Sequence, residues 1–300
     1  MTAWSPTGIW NNWSNVRRRW RTARFDGTSP VCSLFKQGFI IPNAPQLDLK
    51  ARFADRAAVY HRYRSRFPTE LLDVLRECCG LQAHSVIADV GAGTGMLAEL
   101  FLANGNRTFA VEPNAEMLTL CRRLCEAYPN LTCVQASAEA TMLPDASVDI
   151  VAVGRALHWF DLPAAKREFQ RVLVPGGWLA VMGNIWERET GAFAKEYDAA
   201  VLKHARDLST VKDRYTIFEP SQLQEFLAPA KMEAVTLPTK RHITLEELIG
   251  RTASISYAPL PGQPGYDAMC DELTAVFYRH QQNSRVEVVE DWSVCCANIA

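Results

Sequence analysis

"IADVGAGTGMLAEL", residues 87–100, runs from a short apolar segment through three glycines into an amphipathic stretch. That is the signature of a strand, a tight turn and the start of a helix, and such a turn leaves backbone N–H groups free for a ligand. Spacing narrows the ligand. A dinucleotide fingerprint, G-x-G-x-x-G, needs a third glycine where this chain has Met96, and a phosphate loop needs Gly-Lys-Ser/Thr where it has Met96-Leu97-Ala98. Two acids replace the missing phosphate chemistry. Asp89 stands two residues before the first glycine and Glu112 ends the next apolar run. A carboxylate at the second position suits both hydroxyls of a ribose, while Asp89 favours a cation and opposes a pyrophosphate. The expected ligand is a nucleoside carrying positive charge.

Outward from this turn, short apolar runs alternate with amphipathic stretches. "SVIADV", "RTFAVE", "LTCVQA", "SVDIVAVG" and "GGWLAVMG" read as strands, with helices expected over 94–104, 114–127 and 163–173. "KMEAVTLPTK" and "RVEVVEDWSVCC" add two more strands, around the helical stretches "TLEELIGRTASISYA" and "GYDAMCDELTAVFYRHQ". Alternation at this spacing predicts an α/β fold, a doubly wound, mostly parallel sheet of seven strands covered on both faces. "LKARFADRAAVYHRYRSRFPTELLDVLRECC" predicts two helices leading in, the second starting after Pro68. Residues 187–230, charged and without a strand signal, read as a helical cap inserted after strand five.

Composition bounds the rest. The 300 residues are 48% hydrophobic and 22% charged, with a formal net charge of −1, so no global field argues for a nucleic-acid partner. Arg17, Arg18, Arg19, Arg21 and Arg24, with no acid beside them, make residues 1–45 a basic leader. It reads as disordered, or, with Trp10, Trp13, Val16 and Trp20 at near-helical spacing, as a membrane-surface or targeting helix. The domain proper is expected over 46–300. No apolar run approaches the ~18 residues of a spanning helix, and no secretory h-region is present, so a cytoplasmic protein without stable membrane insertion is expected. The nine cysteines show no C-x-x-C or Cys/His spacing and read as free thiols, with no metal site.

"DVGAGTG" followed by "VEPN" resembles the cofactor signature of class I S-adenosylmethionine (SAM)-dependent methyltransferases. "SAEATMLPDASVDIVAVGRALHWFD" and "RVLVPGGWLAV" resemble strands three to five of the methyltransferase type 11 group, especially its trans-aconitate methyltransferase-like branch, and the similarity spans roughly residues 50 to 295. The resemblance implies a Rossmann-like methyltransferase fold with SAM as cofactor. Gly91, Ala92, Gly93 and Gly95 would wrap its methionine part, Asp89 would orient the loop and the amine, and Glu112 would hold the ribose. Pro113 and Met117 would flank the adenine, or Met117 packs its helix. Ser137, Ala138 and Glu139 would read the adenine edge, and Gly154 and Arg155 would lie beside the sulfonium.

The acceptor side is expected at "GRALHWFD". His158 is a candidate base or a hydrogen-bonded structural residue, and Trp159 and Phe160 an apolar wall or turn packing. Arg155 stands where that branch often has Gln and is a candidate for binding an anionic acceptor. Tyr60, Tyr63 and Arg64 resemble the family's segment that folds over SAM, and Tyr257 precedes a proline/glycine loop; each serves the site or simply packs. The sequence thus predicts a methyltransferase for a small molecule, monomeric or homodimeric, acting on the oxygen of a carboxylate or hydroxyl. Carbon methylation of a quinone-like or natural-product ring, and a non-catalytic SAM-binding module, are the alternatives. No Asn/Asp-Pro-Pro-Tyr/Phe motif follows strand four, so a nucleic acid is not expected as acceptor.

Overall fold

The computed structural model describes residues 56–186, 191–206 and 220–300. The basic leader and most of the connection between residues 187 and 219 lie outside the described residues. Two helices, α1 (Ala57–Tyr63) and α2 (Leu71–Cys79), precede β1 (Val86–Val90), α3 (Met96–Ala103), β2 (Arg107–Val111), α4 (Ala115–Leu124), β3 (Leu131–Val134) and β4 (Val148–Gly154). A single 3-10 turn (Leu157–Trp159) leads to α5 (Leu162–Val172) and β5 (Leu173–Trp186). Then come α6 (Ala192–Lys203), α7 (Pro220–Leu227), β6 (Glu233–Ile243), α8 (Leu245–Ala253), α9 (Tyr266–His280) and β7 (Val286–Asn298).

The seven strands form one sheet in the order β3-β2-β1-β4-β5-β7-β6. The β1–β2, β1–β4, β2–β3 and β4–β5 pairs are parallel, and β7 enters antiparallel between β5 and β6. The order reverses between β1 and its neighbours β2 and β4, which puts the glycine turn at the switch point. β5 runs beyond the segment expected for it because β7 pairs with it as far as Trp186 opposite Glu290.

Side chains alternate between the two faces, as the period of two requires. Ile87, Ile150, Ala152, Ala180, Met182 and Trp292 pack under α2 and α3. Ala88, Val151, Val153, Leu179, Val181 and Cys295 pack under α5 and α7. Local signals set the helix ends. Asn114 caps α4, its side chain accepting from the amides of Glu116 and Met117, and Asp161 caps α5 by accepting from Ala164.

The expected cap over 187–230 divides in two. Tyr197, Ala200 and Val201 of α6 share a core with Met269, Leu273 and Phe277 of α9 and Leu248 of α8, whereas Leu223 and Leu227 of α7 join the sheet core. α6 therefore packs with the two helices between β6 and β7, and α7 with the sheet. Amphipathicity marked each helix, but nothing in a helix's own sequence names the apolar stripe it will meet.

Candidate functional site

The turn after β1 is held by its neighbour strand: the amides of Gly91 and Ala92 both donate to Val111 O, at 2.9 and 3.1 Å. Gly91, Gly93 and Gly95 all have positive φ, at 72°, 57° and 84°. They need glycine for different reasons. A Cβ on Gly91 would lie 2.5 Å from Ala156 Cβ, and one on Gly95 2.6 Å from Cys121 Sγ, so these two glycines admit the packing of neighbouring segments. A Cβ on Gly93 would meet no atom of the other described residues within 4 Å. Gly93 faces open space, as a residue approached by a ligand does.

Both predicted acids converge on this turn. Glu112 accepts from the Gly93 amide through Oε2 and from the Asn114 amide through Oε1, each at 2.9 Å, and burial holds its carboxyl above the usual range. Asp89 is 1% exposed, and its carboxyl has the Ala98 amide nearby as a donor but no closed hydrogen bond among the described residues. Burial, with the charge of Glu112 adding to it, pushes Asp89 up to about 7. A buried carboxylate so poorly supplied with donors is costly unless a cation or a further donor arrives from outside the fold. The donor set lacks what a pyrophosphate needs and supplies what an ammonium group and a ribose diol need.

The remaining predicted residues distribute as follows. Ala92 is buried within the turn and Met117 is buried at 4% exposure, which the packing alternative accounts for; Pro113 is half-buried beside Glu112. Ser137 bridges to Ala140, Ala138 is in the core, and Glu139 accepts from the Asp161 amide at 2.9 Å, tying this loop to the acceptor-side turn. A Cβ on Gly154 would strike Phe67 and Leu97, at 2.8 and 2.9 Å, so its smallness serves packing at the end of β4. Ala156 and Phe160 lie behind Gly91, which makes Phe160 part of the turn's support. His158 is buried at 8% exposure with its ring against Trp159, centroids 4.6 Å apart.

Arg155 has φ of +59° and turns its guanidinium into the wall of the site. It donates to Ser65 O at 2.9 Å and to Met96 Sδ at 3.4 Å and lies over the Phe67 ring, 4.5 Å from its centroid. Most of its donor capacity is spent on the protein.

Sequence reasoning missed His61. It reaches from α1 to Thr94 of the glycine turn, Nδ1 to Oγ1 at 3.2 Å, and touches Arg66 through Nε2. Burial and Arg66 pull it down to about 4, so the contact is made by the neutral ring. Also missed was the node around Glu290, where Ser65, Arg251 and Asn184 meet one carboxylate. Its members come from four distant segments and share no motif in the sequence.

This sheet order, with an antiparallel seventh strand and a glycine turn at the switch point, defines a class I methyltransferase fold of the Rossmann-like type. Residues 88–181 match the methyltransferase domain family. The chain is 31% identical over 210 residues to the uncharacterised methyltransferase Rv3342 of Mycobacterium tuberculosis, covering 70% of this chain and 79% of the relative. It is 37% identical over 110 residues to the ubiquinone/menaquinone biosynthesis C-methyltransferase UbiE of Hahella chejuensis, covering 34% of this chain and 44% of that one. A structure assigned to the type II methyltransferases, from Anaeromyxobacter dehalogenans, superposes with a TM-score of 0.60 at 22% identity, over 79% of this chain and 98% of its own. The chain belongs to the methyltransferase family. The matches reach that family and not a branch within it. Among the described residues no helix is long and apolar enough to cross a membrane.

Glu112→Ala removes the acceptor for two backbone amides as well as the expected ribose contact. SAM affinity should fall by about 1.5–3 kcal/mol, the usual size for hydrogen bonds to a charged group. Isothermal titration of the variant checks this, and an unchanged Kd would place the ribose elsewhere.

Proposed function

We propose that the protein is a SAM-dependent methyltransferase acting on an oxygen of a small molecule. The observation that carries the reading is the buried, under-satisfied carboxylate of Asp89 beside Glu112 and the open face of Gly93. When bound, SAM supplies a methyl group made electrophilic by its sulfonium. Asp89 would receive the ammonium of the methionine part and Glu112 the ribose hydroxyls, while the Gly91–Gly95 turn gives the backbone approach. Transfer forms an oxygen–carbon bond as the carbon–sulfur bond breaks, so the chain's task is to align the acceptor and exclude water. Calorimetry should show binding of SAM and of S-adenosylhomocysteine but not of NAD or ATP. Binding of NAD without SAM would overturn the proposal.

A carboxylate acceptor is already ionised and needs no base, whereas a hydroxyl must lose its proton, and His158 is the group on the acceptor-side turn able to take it. We infer the carboxylate, because His158 is buried with its ring against Trp159 and is poorly placed to meet an acceptor's proton. The kcat of His158→Asn should then stay within about threefold of wild type, against the 10²–10⁴-fold loss typical of a missing general base. An acidic limb in the wild-type pH profile that disappears in His158→Asn would assign a hydroxyl or carbon acid instead. The similarity to UbiE favours a second reading, carbon methylation of a ring. Transfer from SAM labelled in the methyl group into a metabolite extract separates the two, because an ester methyl is released by mild alkali and a carbon-bound methyl is not.

A further inference from the structure

Three of the free thiols gather against the glycine turn. Cys121 lies on α4, Cys125 closes that helix, and Cys133 lies on the edge strand β3. Cys121 and Cys125 share a small core with Ala92 of the turn, Ala98 and Leu102 of α3 and Ala110 of β2, and Cys133 packs against it. Cys121 is fully buried, and its sulfur fills the place of a side chain on Gly95, where a Cβ would lie 2.6 Å from it. The same sulfur is 4.0 Å from Cys133 Sγ.

This core can be reached from outside. An open cavity of about 310 Å³ is lined by Arg122, Cys125, Glu126, Tyr128, Leu131 and Cys133. Cys133 is half-buried there and Cys125 only 1% exposed, so Cys133 is the thiol that a small reagent meets first. Hydrogen bonding with Cys121, helped by the charge of Arg122 and opposed by burial, pulls the Cys133 thiol down to about 7. Cys121 goes the other way, pushed up by its hydrogen bonding with Cys125 and Cys133. The pair therefore sets a nucleophilic thiolate against a second thiol that keeps its proton.

We infer that Cys133 is an oxidation site for small hydroperoxides, and that its product is a Cys133–Cys121 disulfide which loosens the glycine turn from beneath. The Cys133 sulfur attacks one peroxide oxygen: a sulfur–oxygen bond forms, the oxygen–oxygen bond breaks, and the other oxygen leaves as water or an alcohol. The Cys121 sulfur then attacks the resulting sulfenic acid. The sulfur–sulfur bond forms, the sulfur–oxygen bond breaks, and the departing hydroxide takes the Cys121 proton as water, so two thiols are oxidised and one peroxide is reduced. Closing 4.0 Å to the ~2 Å of a disulfide draws the two sulfurs together. Cys133 is held in the β2–β3 ladder opposite Ala110, so the Cys121 sulfur makes the move and leaves Gly95 without its support. The helix that carries it begins at Asn114, whose amide donates to Glu112, so strain in α4 also reaches the second acid. The effect on the cofactor rests on the proposed function; the disulfide does not.

Hydrogen peroxide in small excess is added to the reduced full-length protein, remaining thiols are alkylated, and the digest is mapped by mass spectrometry. A peptide pair joined through Cys121 and Cys133, separated again by dithiothreitol, is expected. Cys121→Ala should stop at a sulfenic acid on Cys133, which dimedone labels. Cys133→Ser should form no such pair, and its half-buried position lets it keep the fold even where Cys121→Ala does not. By calorimetry the oxidised wild type should bind S-adenosylhomocysteine about fivefold or more weaker than the reduced protein, the low end of coupling between linked sites, and dithiothreitol should restore it. Peroxide-treated Cys133→Ser should bind as the reduced wild type does. Absence of the Cys121–Cys133 pair overturns the oxidation site, and a pair formed at unchanged affinity overturns its coupling to the turn. Failure of the reduced wild type to bind S-adenosylhomocysteine overturns the cofactor reading instead, and the peptide map decides the disulfide independently.

Discussion

Gly93→Val should abolish SAM binding while the protein stays folded. Gly93 has φ of 57°, its amide donates to Glu112, and a Cβ there would enter space clear of the other described residues. The fold therefore loses only the cost of placing a branched residue in the left-handed region, about 1–2 kcal/mol, which is a fall in Tm of a few degrees. The ligand loses the volume it needs. Gly91→Val is the contrasting case. The φ of 72° carries the same cost, and the new Cβ also meets Ala156 Cβ at 2.5 Å, so the clash displaces the turn after β4 and lowers stability globally. Thermal melts paired with calorimetry distinguish the two. Gly93→Val that binds SAM with wild-type affinity would remove the glycine turn from the cofactor site.

SAM affinity should depend steeply on pH through Asp89. The carboxyl is raised to about 7, so below neutrality it is protonated in the free protein, and an ammonium partner requires it ionised. Between pH 8 and pH 5.5 the Kd should rise by about ten- to a hundredfold, with a proton released on binding at the lower pH. The sign for stability is opposite. Relative to an unfolded carboxyl near 4, the free fold binds the extra proton between about pH 4 and 7, so this group's contribution to the stability of the free protein falls as pH rises through that window. Asp89→Asn should flatten the pH dependence of binding and weaken it at pH 8 to the level wild type shows in acid. Titrations in buffers of different ionisation enthalpy measure the released proton directly. A Kd independent of pH, with no proton exchanged, would separate Asp89 from the ligand.

The turn that dominates both predictions was legible because it is local. Three glycines at fixed spacing declare positive φ, and the two acids on successive strand ends must meet wherever β1 and β2 pair in parallel. Helix ends were legible for the same reason: Asn114 and Asp161 cap from within their own segments. Arg155 shows the limit. Its place after β4 pointed to the acceptor, but which way the guanidinium turns depended on Phe67, Ser65 and Met96, and it turned into the wall.

What the sequence by itself determined is the architecture, seven strands in alternation with helices, and the glycine turn at the switch point, since both follow from periodicity and backbone conformation over a few residues. Only the tertiary structure decided how acidic Asp89 is, because its pKa depends on the burial around it. Only the tertiary structure brought α6, α8 and α9 into one core. The cluster around Ser65 is likewise a product of folding: Ser65 lies 176 residues from Arg241, 186 from Arg251 and 225 from Glu290. Electrostatic matching acts through space, and a chain read in order shows scattered charges where the fold makes one cluster.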